Sequence, residues 1–414
     1  MQGRARRARF LYHVSLTAGG VVVKRLSLSA KIALIVCAAA AVTACGSKPT
    51  VGVLIPTTGA AASYGESMKH GIDLAIKQAL ADGSLSSSVR WVWGDSGSDP
   101  AKAVTELSRL AKQGAHIIIA GTTSDEAKAY LPSLEKLNIL ALSPSASAPD
   151  LTKSSKNFFR LFASDELEGR RAGRFLREEQ DADTVLIYAE DTEQARGIEP
   201  PFRQVFEQAM EGKVVGRVSL NDPSWQQQSA DLLAANNPDA VYIVGYAEPS
   251  LRALRHLRER SFPGTICLTS AFYSGETIKR ESALLEGVFF PQPAFDMKDE
   301  RDLVQNFVSS YQSAYGHPPD IYAAHAFDAA RIVIHVIKSS PSFDTIELRK
   351  SLNYSIKEFP GVTGTIQFDE RGEVKHNPIM FTIRNGEVLN FERFVKDQKK
   401  LIRGRIRDLL LRGE

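Results

Sequence analysis

The sequence predicts an α/β fold of two lobes, each a parallel sheet flanked by helices. Three observations carry that reading. Short runs rich in Val, Ile and Leu alternate with amphipathic stretches at helical spacing. The runs are apolar throughout, as in strands buried on both faces. The strand–helix series also occurs twice, with a break near 163–165, which favours two sheets over one wide one.

The first series opens with TVGVLI (50–55), broken by Pro56 and Gly59. Over 63–80, Met68, Ile72, Ala75, Ile76 and Ala79 recur at helical spacing. VRWVW (89–93) is a strand. Asp99-Pro100 then opens a helix, Asp as N-cap and Pro as first helical residue. HIIIAG (116–121), a helix at 125–137 and ILALS (139–143) complete the series. After FFRLF (158–162), helices at 166–179, 199–211, 225–235 and 249–260 alternate with TVLIYA (184–189), VVGRVSL (214–220), AVYIVG (240–245) and TICLTSA (265–271). GVFFPQPA (287–294) is extended, and helices follow at 300–315, 322–338 and 345–354. GTIQF, IMFTI and EVLNFERF make 361–395 β-rich.

Composition fits this fold. The chain has 414 residues, 43% hydrophobic and 24% charged, which disfavours disorder, collagen and a polytopic membrane protein. The net charge of +3 is unevenly placed. Residues 1–44 hold seven basic side chains and no acid; the remaining 370 carry 44 basic and 48 acidic, a net of −4. Such a body has no overall electrostatic footprint for nucleic acid.

The apolar run IALIVCAAAAV (32–42) follows Lys24, Arg25 and Lys31. Its eleven residues are too few to cross a hydrocarbon core of about 30 Å, so 1–44 reads as a signal peptide. Val42-Thr43-Ala44-Cys45 resembles a bacterial lipobox, with Cys45 as the lipidated residue and 45–49 as its tether. Gly46 rather than Asp after the cysteine implies no retention at an inner membrane. Residues 1–22 lie upstream of a complete signal, which suggests initiation near Val21 to Val23 or else a long basic leader. Of the three cysteines, Cys37 leaves with the signal and Cys45 is acylated; Cys267, expected in a buried strand, is left without a disulfide partner. No Cys or His pair has zinc spacing, and no metal or cofactor is expected. His325 and His335, ten residues apart, fall on different helix faces and read as core or surface residues.

In open parallel sheets, ligands bind beyond the carboxyl ends of the strands. Those ends carry Pro56 to Gly59 with Tyr64, then Thr122-Thr123-Ser124, then Ser143 to Ser147. In the second series they carry Glu190-Asp191-Thr192, Gly245 to Glu248, and Ser270 to Tyr273. Each hydroxyl alone reads equally as a helix cap or turn former. Together they outline a polar cleft, and helix N-termini there favour an anionic ligand group.

These residues resemble the periplasmic leucine/isoleucine/valine-binding protein family, the type I solute-binding receptors of ABC importers. GVLIPTTGAAASYGESMKHGIDLAI looks like that family's opening strand, turn and helix, and GTTSDEAKAYLPSLEKLNILALSPSASAPDLT resembles its ligand segment. FFRLFASDELEGRRAGRFL resembles the hinge crossing; PDAVYIVGYAEPSLRALRHLRERSF and GVTGTIQFDERGEV are similar to two later signatures. The match runs from about Val51 to Phe394. The resemblance implies a two-lobed type I periplasmic-binding-protein fold with three hinge crossings. The lobes would comprise 50–163 with 292–360, and 164–291 with 361–395. Tyr64, Thr123, Ser124, Ser145, Ser147, Tyr246 and Tyr273 would line the ligand site. Two departures stand out: Gln194-Ala195 where the family often has Tyr-Gly, and no acid near Ser270, where its amino-acid receptors hold the α-ammonium. Asp191 or Glu248 would have to substitute, though neither aligns.

The implied function is an extracytoplasmic, lipid-anchored monomer. It binds a small solute (an amino acid, or a related carboxylate or amide) by hinge closure and delivers it to an ABC permease. The alternative is the same fold used as a sensor, or as an activator of an envelope enzyme. The chain has no G-x-S-x-G, Walker A or H-E-x-x-H, and its Ser133-x-x-Lys136 lies in a helical pattern without a partner motif, so it does not read as an enzyme. Residues 396–414 form a basic amphipathic tail, with Ile402, Ile406, Leu409 and Leu410 as a stripe. Docking on its own lobe and contact with anionic lipid or the permease both remain open for it.

Overall fold

The computed structural model describes residues 12–17, 20–25, 48–273 and 275–412. The apolar run, the lipobox and Cys45 lie outside the described residues. In the N-terminal unit, strands β1 (Tyr12–Thr17) and β2 (Gly20–Arg25) pair antiparallel.

The body carries two sheets. The first contains β3 (Thr50–Ile55), β4 (Arg90–Asp95), β5 (Ala115–Ala120), β6 (Leu140–Ser143) and β7 (Phe158–Arg160), in the order β4-β3-β5-β6-β7, all parallel. Its central strand β5 buries Ile117, Ile118 and Ile119 completely. β4 lies at an edge, so its side chains are largely half-exposed. Helices α1 (Ala62–Ala81), α2 (Pro100–Lys112) and α3 (Ser124–Leu134) connect these strands. Asp99 caps α2 as expected, its side chain accepting from Lys102 N, with Pro100 first in the helix. A four-residue helix, α4 (Leu151–Ser154), leads into β7.

The second sheet contains β8 (Thr184–Ala189), β9 (Lys213–Ser219), β10 (Ala240–Val244), β11 (Thr265–Leu268) and β12 (Phe289–Gln292) as parallel neighbours. Helices α5 (Asp165–Arg174), α6 (Glu193–Arg203), α7 (Trp225–Asn236), α8 (Ala247–Glu259) and α9 (Gly275–Arg280) belong to this part of the chain. Cys267 sits in β11 with no exposed surface. Helices α10 (Asp302–Tyr315), α11 (Ile321–Ser339) and α12 (Thr345–Ser355) then return to the first core. α11 packs on α1 so closely that a Cβ at Gly71 would lie 2.2 Å from the Ala323 carbonyl oxygen, which restricts that position to glycine.

Three local expectations need correction. The segment 361–395 does not belong wholly to the second lobe. β13 (Phe359–Gly361) and β14 (Gly364–Ile366) form a hairpin, and Val362, Ile366, Phe368 and Val374 are buried in the first core. Only β15 (Ile379–Arg384) and β16 (Glu387–Asn390) join the second sheet, and they extend it antiparallel. The third crossing therefore falls at 375–378; the others fall at 161–164 and after β12. Helix α6 begins at Glu193, six residues before the expected start at 199. Thr192 caps it by accepting from Ala195 N at 3.2 Å, and Pro200 and Pro201 sit inside the helix. EVLNFERF is not one strand, because Asn390 accepts from Arg393 N at 3.1 Å and opens helix α13 (Phe391–Arg412).

Candidate functional site

The carboxyl ends of the two sheets face a cleft of about 600 Å³. Six of the seven expected residues line it: Tyr64, Thr123, Ser124, Ser145, Ser147 and Tyr246. Tyr273 does not. It lies behind the cleft against Phe290, ring centroids 5.8 Å apart, and lines a separate small cavity with Gln292 and Phe295. The chain turns through a short 3₁₀ segment, Ser270–Phe272, so Ser270 and Ala271 reach the cleft and Tyr273 turns away from it.

The hydroxyls divide by role. Thr123 and Glu126 form a capping box at the start of α3. Ser124 Oγ accepts from the backbone N–H groups of Ser147 (3.2 Å) and Ala148 (3.1 Å), tying two loops together. The Ser145 hydroxyl donates to the Thr122 carbonyl. These three hydroxyls shape the wall. Ser147 instead meets Asp165, its carbonyl accepting from the Asp165 N–H at 2.9 Å.

Asp165 opens α5 immediately after the first crossing. Burial pushes its carboxyl up to about 6, against the opposing influence of the Ser147 hydroxyl and the charges of Arg160 and Lys128. Its Oδ1 is buried without a hydrogen-bond partner among the described residues, and so is Oε1 of Gln194. Both residues line the cleft. One turn beyond Asp165, buried Glu168 accepts from the N–H and hydroxyl of Ser270, both at 2.7 Å. Burial pushes Glu168 up to about 8, and the nearby Asp165 charge adds to the shift.

An acid therefore does stand beside Ser270, supplied by a helix rather than by the strand end. The two residues expected to substitute lie elsewhere. Asp191 is exposed and bonded to Arg217 and Ser219, and Glu248 is exposed and paired with Arg280 at 3.0 Å. Asp165 is legible as an acid in the first turn after the crossing segment FFRLF, but it stands at a helix start, not at a strand end.

An aromatic wall faces these acceptors. Tyr64 and Tyr322 approach at 4.5 Å between centroids, and Phe162 stacks on Tyr322 at 6.2 Å. Tyr246 enters from the second lobe with 53% of its surface exposed, its N–H donating to Glu190 at 2.6 Å. At the rim, Lys128 Nζ lies 3.4 Å from Glu193, an ion pair between the lobes. Among the described residues, the side chains lining the cleft include three acids (Asp125, Asp165, Glu193) and no Lys or Arg. The arrangement suits a small solute with an apolar body and N–H donors.

A family model described as "periplasmic binding protein" matches residues 48–387. The chain is 23% identical over 353 residues to a Leu/Ile/Val-binding protein homologue of Brucella abortus, covering 84% of this chain and 93% of that one. It is 22% identical over 324 residues to the leucine-, isoleucine-, valine-, threonine- and alanine-binding protein of Pseudomonas aeruginosa, covering 78% and 86%. Among solved structures, a leucine-binding protein from Thermotoga maritima shares the fold with a TM-score of 0.72 at 23% identity, over 82% of this chain and 97% of that one.

Proposed function

Because the chain belongs to the periplasmic binding protein family, whose members are extracytoplasmic solute-binding proteins and not enzymes, we propose that its cleft binds an amino acid or a closely related small amine or amide. The observation that carries this is the pair of unpartnered buried acceptors, Asp165 Oδ1 and Gln194 Oε1, in a cleft lined by acids and no base. A buried acceptor gains most from a donor that satisfies it, and a carboxylate gains most from a cationic one. The solute's ammonium lies at Asp165, its carboxylate or carbonyl faces the α3 N-terminus and Ser147, and its apolar body lies against Tyr64, Tyr322 and Phe162. Tyr246 closes over it as the lobes come together. The amino-acid ligands named for the Pseudomonas relative support the same solute class. The loaded protein delivers its solute to an ABC permease, and the chain is held at the membrane by a lipid on Cys45.

The test is a thermal-shift screen of refolded, ligand-free protein against amino acids, aromatic acids and small amides. Amine- or amide-bearing compounds should raise the melting temperature, because ligand bound only to the native state adds to its stability. Asp165→Asn should abolish the rise for amines. Stabilisation by aromatic carboxylates alone would overturn the reading.

A further inference from the structure

We propose that α13 is a docking surface for an anionic phospholipid bilayer. Among the described residues, the helix's ring and ion-pair contacts with the body lie at its start. Phe391 packs edge-on against Phe175 and Phe289, each at 5.3 Å, and Arg393 pairs with Asp296 at 2.9 Å. From Lys396 to Arg403 every side chain is exposed, including Leu401 at 57% and Ile402 at 56%. Over this stretch Lys396, Lys399, Lys400 and Arg403 border an open groove whose other side carries Asp299, Glu300 and Arg301. At 22 residues it is about 33 Å long.

The charge on this helix is segregated from the rest of the chain. Residues 391–412 carry eight Lys or Arg and three Asp or Glu, whereas residues 45–390 carry 36 and 44. A net +5 helix thus stands on a net −8 body. Successive 100° steps place Arg393, Lys396, Lys399, Lys400 and Arg403 within one arc of about 120°. Leu401 and Ile402 lie outside that arc, as does Val395. A basic face beside an apolar one is the pattern of a helix lying in a bilayer interface, its apolar residues among the acyl chains and its cations at the headgroups. An acidic body is repelled by the same surface, so the charge pattern orients the molecule as well as attracting it.

The experiment is co-sedimentation of the chain from Gly46 to Glu414, which carries neither the basic apolar leader nor an acyl chain. The vesicles are phosphatidylcholine with and without phosphatidylglycerol. Binding should appear only with phosphatidylglycerol and fall steeply as salt shortens the screening length. At about 1 kcal/mol per basic residue near the surface, joint replacement of Lys396, Lys400 and Arg403 by Ala should weaken binding roughly 100-fold. Leu401→Ser with Ile402→Ser should weaken it while preserving the salt dependence. Unchanged solute-binding melts in both variants show that the body is intact. Equal binding to both vesicle types overturns the proposal. So does binding to neither, which would leave the acidic surface of a protein as the partner to seek.

Discussion

Arg160 and Glu373, 213 positions apart, form a two-point ion pair that clasps the first and third crossings together. Arg160 is wholly buried, and its Nε lies 2.9 and 3.1 Å from the two Glu373 oxygens. Its Nη1 donates to the carbonyls of Ala146 (3.3 Å) and Ala148 (2.7 Å), on either side of Ser147. The hinge clasp and the ligand loop thus share one guanidinium.

Arg160→Met should destabilise the protein by about 3–5 kcal/mol, because Glu373 loses its partner at a largely buried site. Arg160→Met with Glu373→Met should recover much of that stability, as apolar replacement of a buried pair often does. It should not recover affinity, since the carbonyls beside Ser147 remain unbraced. Denaturant melts and calorimetric titration of the two variants separate these effects; full recovery of binding in the double variant would show that Arg160 does not position the loop.

Asp165 should make solute binding pH-dependent. Its native value of about 6 is raised above the unfolded one, so the native state binds its proton more readily. The ligand-free protein should gain stability from this group as pH falls from about 6 to about 4, and lose it on the way back up. Affinity for an ammonium-bearing solute should move the other way, weakening as pH drops through about 6. Asp165→Asn should flatten both profiles relative to wild type and stabilise the ligand-free protein at neutral pH. Parallel profiles for wild type and variant would remove Asp165 from the site.

Ser147→Ala should lower affinity about 10- to 100-fold with little change in ligand-free stability, since a hydrogen bond to a charged group contributes roughly 1.5–3 kcal/mol. Ser124→Ala should behave differently. Its oxygen accepts two backbone N–H groups, so about 1 kcal/mol of stability goes with it. Tyr246→Ala should lower affinity and reduce the closed fraction at saturating solute, read by small-angle scattering. Identical stability losses with unchanged affinity in all three variants would make these residues purely structural.

Cys45→Ser should yield a precursor that no longer incorporates radiolabelled fatty acid. Label retained by the variant would place the lipid elsewhere or show that Cys45 is not acylated.

Most of the fold was legible because its strands are buried on both faces and its helices carry caps that can be read from sequence, such as Asp99-Pro100. What escaped depended on competition between local signals. Helix α6 starts ahead of the expected 199 because Thr192 caps it upstream. The apolar spacing of 387–394 continued through Asn390, which ends the strand by capping α13. The cleft was legible at strand ends: six of the seven residues expected there line it. Asp165 and Gln194 lie just inside helices, and their burial without partners depends on packing between lobes that no short segment encodes.

The crossing at 375–378 has a consequence for the order in which the molecule assembles. The first core joins Val51 and Val53 to α11, α12 and Val374. Part of the apolar face of β3 to β7 therefore stays uncovered until α11, which begins more than 150 residues after β7 ends. The second sheet is delayed less in sequence, yet it too closes with its last strands, β15 and β16. Neither half is a contiguous piece of chain, so neither can mature while the rest is still arriving. Contacts this distant make folding slow. They also keep the chain open and threadable late into synthesis, as passage across a membrane before folding requires.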